Sequence, residues 1–420
     1  MDYFEKVIGY DDVKEELLKV ADMFKNSDEY KRIGAYIPRG ILIYGKPGMG
    51  KTLLANEFAD ICQCNKIVLR KNRNANDFID EIKKVFDEAK TQSPCIVILD
   101  DMDKFVKDED SSEEYYAVQA CIDDVAGDDV LVVATANDTI NMPSSLLRQG
   151  RFDFEFELSV LPKGVSGQIV KMHLKGGELL DSHVKIEDVE KMFSTSSPST
   201  IITVLNNCKI SMHFYKSEKI LRSMLIDAFL KKDGLYYDTY DAKRCRANVA
   251  YHEAGHVVIR ELIEPGSVSF AAVRVTDNGI SGIVYGSPNY DHYLGHKKSA
   301  CESLAGMACE EQKYGYITDG SMQDIIDVNC NLENEVDRGL YGMDISSAGL
   351  SSDAIKVLVC REQQQVETEK KRLYSVTKKA LIDNWDFVED VAIKLMETDA
   401  LLYSDIQEIR KKYSCTPIAV

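Results

Sequence analysis

Residues Gly45-Lys46-Pro47-Gly48-Met49-Gly50-Lys51-Thr52 decide the fold of the first half of this chain. The spacing is GxxxxGK[ST], and its surroundings carry as much weight as the motif. The apolar run 40–44 before it reads as a buried strand, and 52–59 after it as a helix. Glycines at such a strand-to-helix turn let backbone N–H groups wrap phosphate oxygens at a helix N-terminus. Lys51 then reaches the outer phosphates, and Thr52 can hold Mg2+. The contact set expected for ATP is Gly45, Pro47, Gly48, Met49, Gly50, Lys51, Thr52 and Leu53.

Outward from this loop, short β-like runs at 66–69, 95–100, 130–136 and 154–158 alternate with helical patterns. That alternation predicts a parallel sheet flanked by helices. The run 95–99 ends in Asp100-Asp101, and an acidic residue at such a strand tip is placed to coordinate Mg2+. The run 130–136 ends in Asn137, suited to orienting an attacking water. Further on, the stretch 146–153 places Arg148 and Arg151 three residues apart. From about 161 to 231 the pattern is helical only, and 236–243 reads as a polar linker. The remainder is mainly helical, with a β-rich insert near 268–285. The expected division is 1–161 as an α/β nucleotide-binding domain, 162–235 as a helical lid, and 236–420 as a mostly helical domain.

In that last part, Tyr251-His252-Glu253-Ala254-Gly255-His256 contains HExxH. Residues i and i+4 of a helix share a face, so both imidazoles can converge on one metal ion with Glu253 beside them as general base. His292 and His296 share the spacing, but Gly295 and nearby Pro288 suggest solvated loop histidines. Glu310-Glu311 reads as a solvated helix face, with support of a metal ligand as the alternative. Trp385, the single tryptophan, is expected in the core.

Bulk properties narrow the function classes. The chain has 420 residues, enough for two or three domains with real cores. Its longest apolar runs, 41–44, 95–99 and 130–136, fall far short of the roughly 20 residues that cross a bilayer. With no signal-peptide pattern, a soluble cytoplasmic protein is expected. A net charge of −18 argues against a nucleic-acid binder, which needs clustered Lys and Arg. The 11 cysteines include no CxxC pair, which argues against a thiolate zinc site and for reduced, mostly buried thiols.

Taken together these residues resemble the AAA+ ATPases, and specifically the FtsH-like protease family. Further matches lie in Val7-Ile8-Gly9-Tyr10-Asp11-Asp12, Ile37-Pro38-Arg39-Gly40 and Phe86-Asp87-Glu88-Ala89. The resemblance implies an AAA+ parallel-sheet ATPase domain with a helical lid, followed by a zinc peptidase domain. By the same resemblance Ile8 and Gly9 line the adenine pocket, Asn137 is the sensor, and Arg148 and Arg151 are fingers reaching into a neighbouring subunit. Trans-acting fingers imply a ring, a homo-hexamer. The family's third zinc ligand is an Asp in Thr-x-Gly-x-x-x-Asp, matched here by Thr318-Asp319-Gly320-Ser321-Met322-Gln323-Asp324. Asp324 is therefore expected to join His252 and His256, with Asp319 and Asp327 as competitors. An edge strand at 283–285 is expected to pair with extended polypeptide substrate.

The sequence departs from the family at two points. Where the family has Asp-Glu, this chain has Asp100-Asp101; Asp101, one methylene shorter as the hydrolytic carboxylate, predicts slow ATP turnover. The interval 71–80 lacks the aromatic–hydrophobic–Gly triplet that grips substrate, and Phe78 with Ile79, Ile82 and Phe86 fits a buried helix face instead. The family's membrane anchor has no counterpart, so a soluble member, a subunit joining a membrane-anchored partner, or a truncated form is expected. The function so implied is ATP-dependent proteolysis by a zinc metalloendopeptidase. Its alternatives are a nucleotide-gated assembly protein with slow turnover, and an energy-independent zinc peptidase whose motor sets oligomeric state.

Overall fold

Helix α1 (Asp11–Lys25) and the short α2 (Ser27–Arg32) precede β1 (Gly40–Tyr44), and α3 (Lys51–Cys62) follows the glycine loop. Next come β2 (Asn65–Leu69), α4 (Phe78–Thr91), β3 (Cys95–Leu99), α5 (Glu113–Asp124), β4 (Val130–Ala136) and β5 (Phe154–Glu157). This computed structural model describes residues 3–71, 78–105, 113–158, 160–232, 243–276, 279–286, 295–337, 352–418 and 420. The expected grip interval at 71–80 and His292 fall largely or wholly outside them.

The five strands form one parallel sheet in the order β2-β3-β4-β1-β5. β3 and β4 are buried along their whole length, while the edge strands β2 and β5 show exposed positions. That is why the central runs are continuously apolar. Successive side chains on a strand point to opposite faces. Ile41, Ile43, Ile96, Ile98, Leu131 and Val133 pack with α1 and α3 on one side. Leu42, Val97, Leu99, Val132 and Ala134 pack with α4 and α5 on the other. Phe78, Ile82 and Phe86 are buried in that second layer, as their helical spacing predicts. Because all strands run the same way, Tyr44, Leu99 and Ala136 end at one edge of the sheet, and the residues just after them meet there. Ligands of open α/β sheets bind at this carboxyl edge, where strand order reverses.

Four helices follow: α6 (Val165–His173), α7 (Ile186–Met192), α8 (Pro198–Phe214) and α9 (Arg222–Lys231). Then come α10 (Lys243–Ile263), β6 (Val268–Thr276), β7 (Gly279–Gly286), α11 (Gly295–Tyr314) and α12 (Met322–Asp337). The chain ends with α13 (Ser352–Asp383), α14 (Trp385–Thr398), β8 (Ala400–Leu402) and α15 (Tyr403–Arg410). It divides into two compact units, Met1–Ile169 with Ser196–Thr203, and Val170–Thr195 with Val204–Val420. Most of the segment 162–235, expected as a helical lid, thus belongs to the same unit as α10.

Several contacts hold α7 and α9 to the rest of the second unit. Asp188 is fully buried at the start of α7, where its carboxylate accepts the backbone N–H of Lys185. The same carboxylate accepts the N–H and hydroxyl of Ser404 at 2.7 and 2.9 Å, satisfying the first turns of two helices. Arg222 donates to Asp405 at 2.6 Å and to the Ala400 carbonyl, and Phe229 packs edge-on against Phe270 and Tyr285.

The β-rich insert is larger than its apolar runs suggested. β6 and β7 pair antiparallel over eight register pairs, and β8 adds a third strand in the order β7-β6-β8. β8 has only three residues, too few to show alternation. His296 lies in the first turn of α11, which corrects the loop expected around it. Trp385 opens α14, half-buried and stacked on Tyr251.

Candidate metal centre and nucleotide site

Helix α10 turns its apolar face, Ala250, Ala254, Val257, Val258 and Ile259, into the core of the second unit. Its crossing with α11 is close: a Cβ on Gly255 would already approach the Ala305 carbonyl oxygen to 2.6 Å. A Cβ on Gly306 would lie 2.3 Å from His252 Cε1, so glycine at 306 makes room for the ring. The two HExxH histidines emerge from this packing with their Nε2 atoms 3.0 Å apart. Asp324, in the first turn of α12, brings Oδ2 to 3.0 Å from His252 Nε2 and 3.6 Å from His256 Nε2.

His256 Nδ1 lies 2.7 Å from the Glu302 carbonyl, which can only accept, so Nδ1 carries the hydrogen and Nε2 presents a lone pair. His252 Nδ1 faces the Glu310 carboxylate at 3.1 Å, which selects the same tautomer. Two lone pairs and a carboxylate aimed at one point repel each other unless a cation lies between them. Burial disfavours charge on His252, yet hydrogen bonds to Asp324 and Glu310 outweigh it and push its pKa up to about 10. A proton thus takes the place that a metal ion would fill, and two imidazoles with one carboxylate fit zinc. Among the described residues this is the one cluster of three His, Cys, Asp or Glu side chains close enough to share a metal.

The surroundings show which expectations stand. Glu310 is only 2% exposed and accepts from the backbone N–H and hydroxyl of Thr318 as well as facing His252. The solvated-face reading of this residue is therefore wrong, because α11 turns that side toward α10. Glu311 points away and pairs with Lys378 and Tyr374. Asp327 lines the cleft but accepts from Gln323 and does not join the histidines. Asp319 lies in a short 3-10 turn before α12, and its side chain is outside the described set. One pair had no sequence signal: Arg260 grips the Glu302 carboxylate at 2.9 and 3.0 Å, holding the residue whose carbonyl orients His256.

Glu253 is buried beside the histidines, and burial raises its pKa against the opposing pull of His256 and His252. A cleft of about 440 Å³ opens over these groups, with Ser281, Gly282, Ile283 and Val284 of β7 along one wall. β6 covers only one side of β7, leaving its other edge unpaired among the described strands.

In the first unit, the loop between β1 and α3 uses left-handed backbone at Gly48 (φ 79°) and Gly50 (φ 96°), conformations that glycine adopts freely. Gly45 is pressed against Leu158, where a Cβ would meet the backbone at 2.6 Å. Lys51 is buried and donates to the carbonyls of Gly45 and Lys46 and to Asn137 Oδ1, at 2.6, 3.0 and 3.1 Å. Burial lowers its pKa against the pull of Asp101 and Asp103. Met49 is buried; Pro47 and Leu53 are exposed. Ile8 is half-buried, and Gly9 (φ 79°) lies against Val165.

Thr52 and Thr135 both donate to Asp100 Oδ1 at 2.7 Å, a hydroxyl–carboxylate pairing that fits a hydrated Mg2+. Asp101 adopts a left-handed backbone (φ 56°), and its carboxylate takes Lys104 at 2.7 Å. Asn137 is held by Asp103, which accepts both its backbone N–H and its side-chain amide. Arg151 makes a two-point ion pair with Asp123 of α5, whereas Arg148 is exposed. Asp103 was not marked by the sequence, and neither were Ser197 and Ser199. Ser199 donates its N–H to the Gly48 carbonyl, and both hydroxyls crowd the space over Gly48.

Residues 41–160 match the family model described as ATPase family associated with various cellular activities. The chain is 27% identical to the ATP-dependent zinc metalloprotease FtsH 2 of Sphaerobacter thermophilus, over 95% of this chain and 64% of that protein. It is 26% identical to FtsH 1 of Alkaliphilus metalliredigens, over 97% of this chain and 73% of that protein. To FtsH 2 of Symbiobacterium thermophilum it is again 26% identical, over 97% of this chain and 74% of that protein. The chain therefore spans roughly two thirds to three quarters of the length of these relatives. Among the described residues no helix is long and apolar enough to cross a membrane. An α/β phosphate-loop unit followed in one chain by a mainly helical HExxH unit agrees with matches that run nearly end to end along this chain, and in both parts the chain is similar to the FtsH-like AAA+ zinc metalloproteases.

Proposed function

We propose that this chain is a zinc endopeptidase that cleaves polypeptides under the control of ATP. The observation that carries the reading is the convergence of His252, His256 and Asp324, with Glu253 buried beside them in a cleft walled by an unpaired strand edge. Zinc held by His252, His256 and Asp324 supplies Lewis acidity at the scissile carbonyl. Glu253 accepts the proton of the attacking water and returns it to the leaving amine. Its burial beside the histidines places it within reach of the attacking water that a general base must deprotonate. Glu310 and the Glu302 carbonyl hold the two imidazoles in the ligating tautomer. The edge of β7 that is unpaired among the described strands offers backbone hydrogen bonds to an extended substrate, which favours unfolded segments.

In the first unit ATP occupies the loop from Gly45 to Leu53, and Ile8 and Gly9 border its base. Lys51 exchanges loop carbonyls for phosphate oxygens, and Asn137, held by Asp103, orients water. Asp101 is the hydrolytic carboxylate; its short side chain and its pairing with Lys104 support slow turnover. Exposed Arg148 suits a finger for a neighbouring subunit in a homo-hexamer, and Arg151 must leave Asp123 to join it.

The test is casein degradation with ATP, without ATP and with a chelator. Loss of cleavage on chelation and in Glu253→Gln, with ATP accelerating the intact protein, is the expected result. Unchanged cleavage in Glu253→Gln would overturn the peptidase reading.

A further inference from the structure

Asp100 is 2% exposed at the tip of β3, so its negative charge requires a partner. The parallel register sets Leu69 beside Leu99, which brings the next residues, Arg70 and Asp100, side by side at the carboxyl edge of the sheet. Asp100 donates its N–H to the Leu69 carbonyl, fixing that alignment. Arg70 Nε and Nη2 both reach Asp100 Oδ2, at 2.6 and 2.5 Å. Oδ1 is already taken by the hydroxyls of Thr52 and Thr135. Both oxygens of this carboxylate thus have partners from within the chain. The Arg70 side chain is nevertheless 61% exposed, so it reaches the carboxylate from solvent and is not locked in the core.

We propose that Arg70 is a built-in counter-cation of the nucleotide site, taking at Asp100 the electrostatic role that a divalent cation otherwise fills and making nucleotide binding weakly dependent on Mg2+. The inference rests on the nucleotide-binding reading above. A hydrated Mg2+ at Thr52 gains from Asp100 because that carboxylate is anionic. With a guanidinium already on Oδ2, most of that gain is gone. The N–H groups of the guanidinium not used on Asp100 also offer charge-assisted hydrogen bonds to phosphate oxygens. Both effects act in the same direction: less is lost when Mg2+ is removed. The neighbouring Asp101 shows the same pattern of charge compensation from within the chain, its carboxylate taking Lys104.

The experiment measures affinity of the full chain for a fluorescent ATP analogue in Mg2+ and in EDTA, for the unmutated protein and for Arg70→Ala. The quantity read is the ratio of the two dissociation constants. Removing Arg70 is expected to raise that ratio about tenfold, equivalent to about 1.4 kcal/mol. Arg70→Lys, which keeps a point charge without the fork, is expected to fall between. If Arg70→Ala does not fold, Arg70→Gln removes the charge and gives the same comparison. An unchanged ratio in a variant that still binds nucleotide overturns the role of Arg70 and leaves the nucleotide reading standing. Absence of binding by the unmutated protein under both conditions overturns both.

Discussion

A Cβ on Gly282 would lie 2.2 Å from Glu253 Cγ and 2.3 Å from its Oε1, so the edge strand of the cleft touches the proposed general base directly. The missing side chain at 282 is what lets the carboxylate lie under β7. Gly282→Ala is expected to displace Glu253 by about 1 Å and lower casein cleavage roughly 100-fold. Zinc content, measured by atomic absorption, should stay at the unmutated level, since none of the three ligands is touched. Cleavage within about twofold of the unmutated rate would show that the base is not seated here.

Glu310→Gln addresses the support of His252. Its carboxylate is the partner of Nδ1, and loss of the charge weakens the ligand's basicity. Zinc affinity in a chelator competition is expected to fall about 10- to 100-fold. Glu311→Gln, one residue on, should leave affinity unchanged because Glu311 pairs with Lys378 and Tyr374. Equal effects of the two would refute the assignment.

Asp103→Ala frees both donors of Asn137. ATP hydrolysis is expected to drop by about 100-fold on misplacement of the oriented water, while affinity for the fluorescent ATP analogue changes little. A parallel loss of affinity would place Asp103 in binding.

Buried thiols make a prediction about pH. Burial pushes the Cys62 and Cys208 thiols up to about 12. The thiolate is the reactive form, and a raised pKa keeps it absent until the pH nears that value. Iodoacetamide at pH 8 should leave both unmodified in the folded protein and alkylate exposed Cys330, as peptide mass mapping would show. Modification of Cys62 or Cys208 at the rate of Cys330 would contradict the burial.

Much of the fold was legible because its signals are local. The run Gly40–Tyr44, the glycine loop and the apolar strands Cys95–Leu99 and Val130–Ala136 each announce themselves within a few residues. HExxH is likewise contained in one helix, so its two histidines meet as their spacing requires. Asp324 came from family resemblance, since nothing in its own neighbourhood distinguishes it from Asp327. What stayed hidden is held together across the chain. Glu310 reaches His252 over 58 residues, Arg70 reaches Asp100 over 30, and Asp103 reaches Asn137 over 34. A carboxylate on a helix looks the same in sequence whether it faces water or a buried imidazole. The third strand, β8, is too short to carry a pattern and exists because β6 offers it an edge.

The buried carboxylate of Asp188, bonded to Ser404 across 216 residues of sequence, has a consequence for what happens when the backbone is cut. With Arg222 on Asp405 and Phe229 on Phe270, it ties the helices before Lys232 to those after Lys243 without using the peptide connection between them. A protease nick between those two lysines should therefore yield two bands on a denaturing gel but one peak on gel filtration. The halves are expected to separate only when the shared core melts.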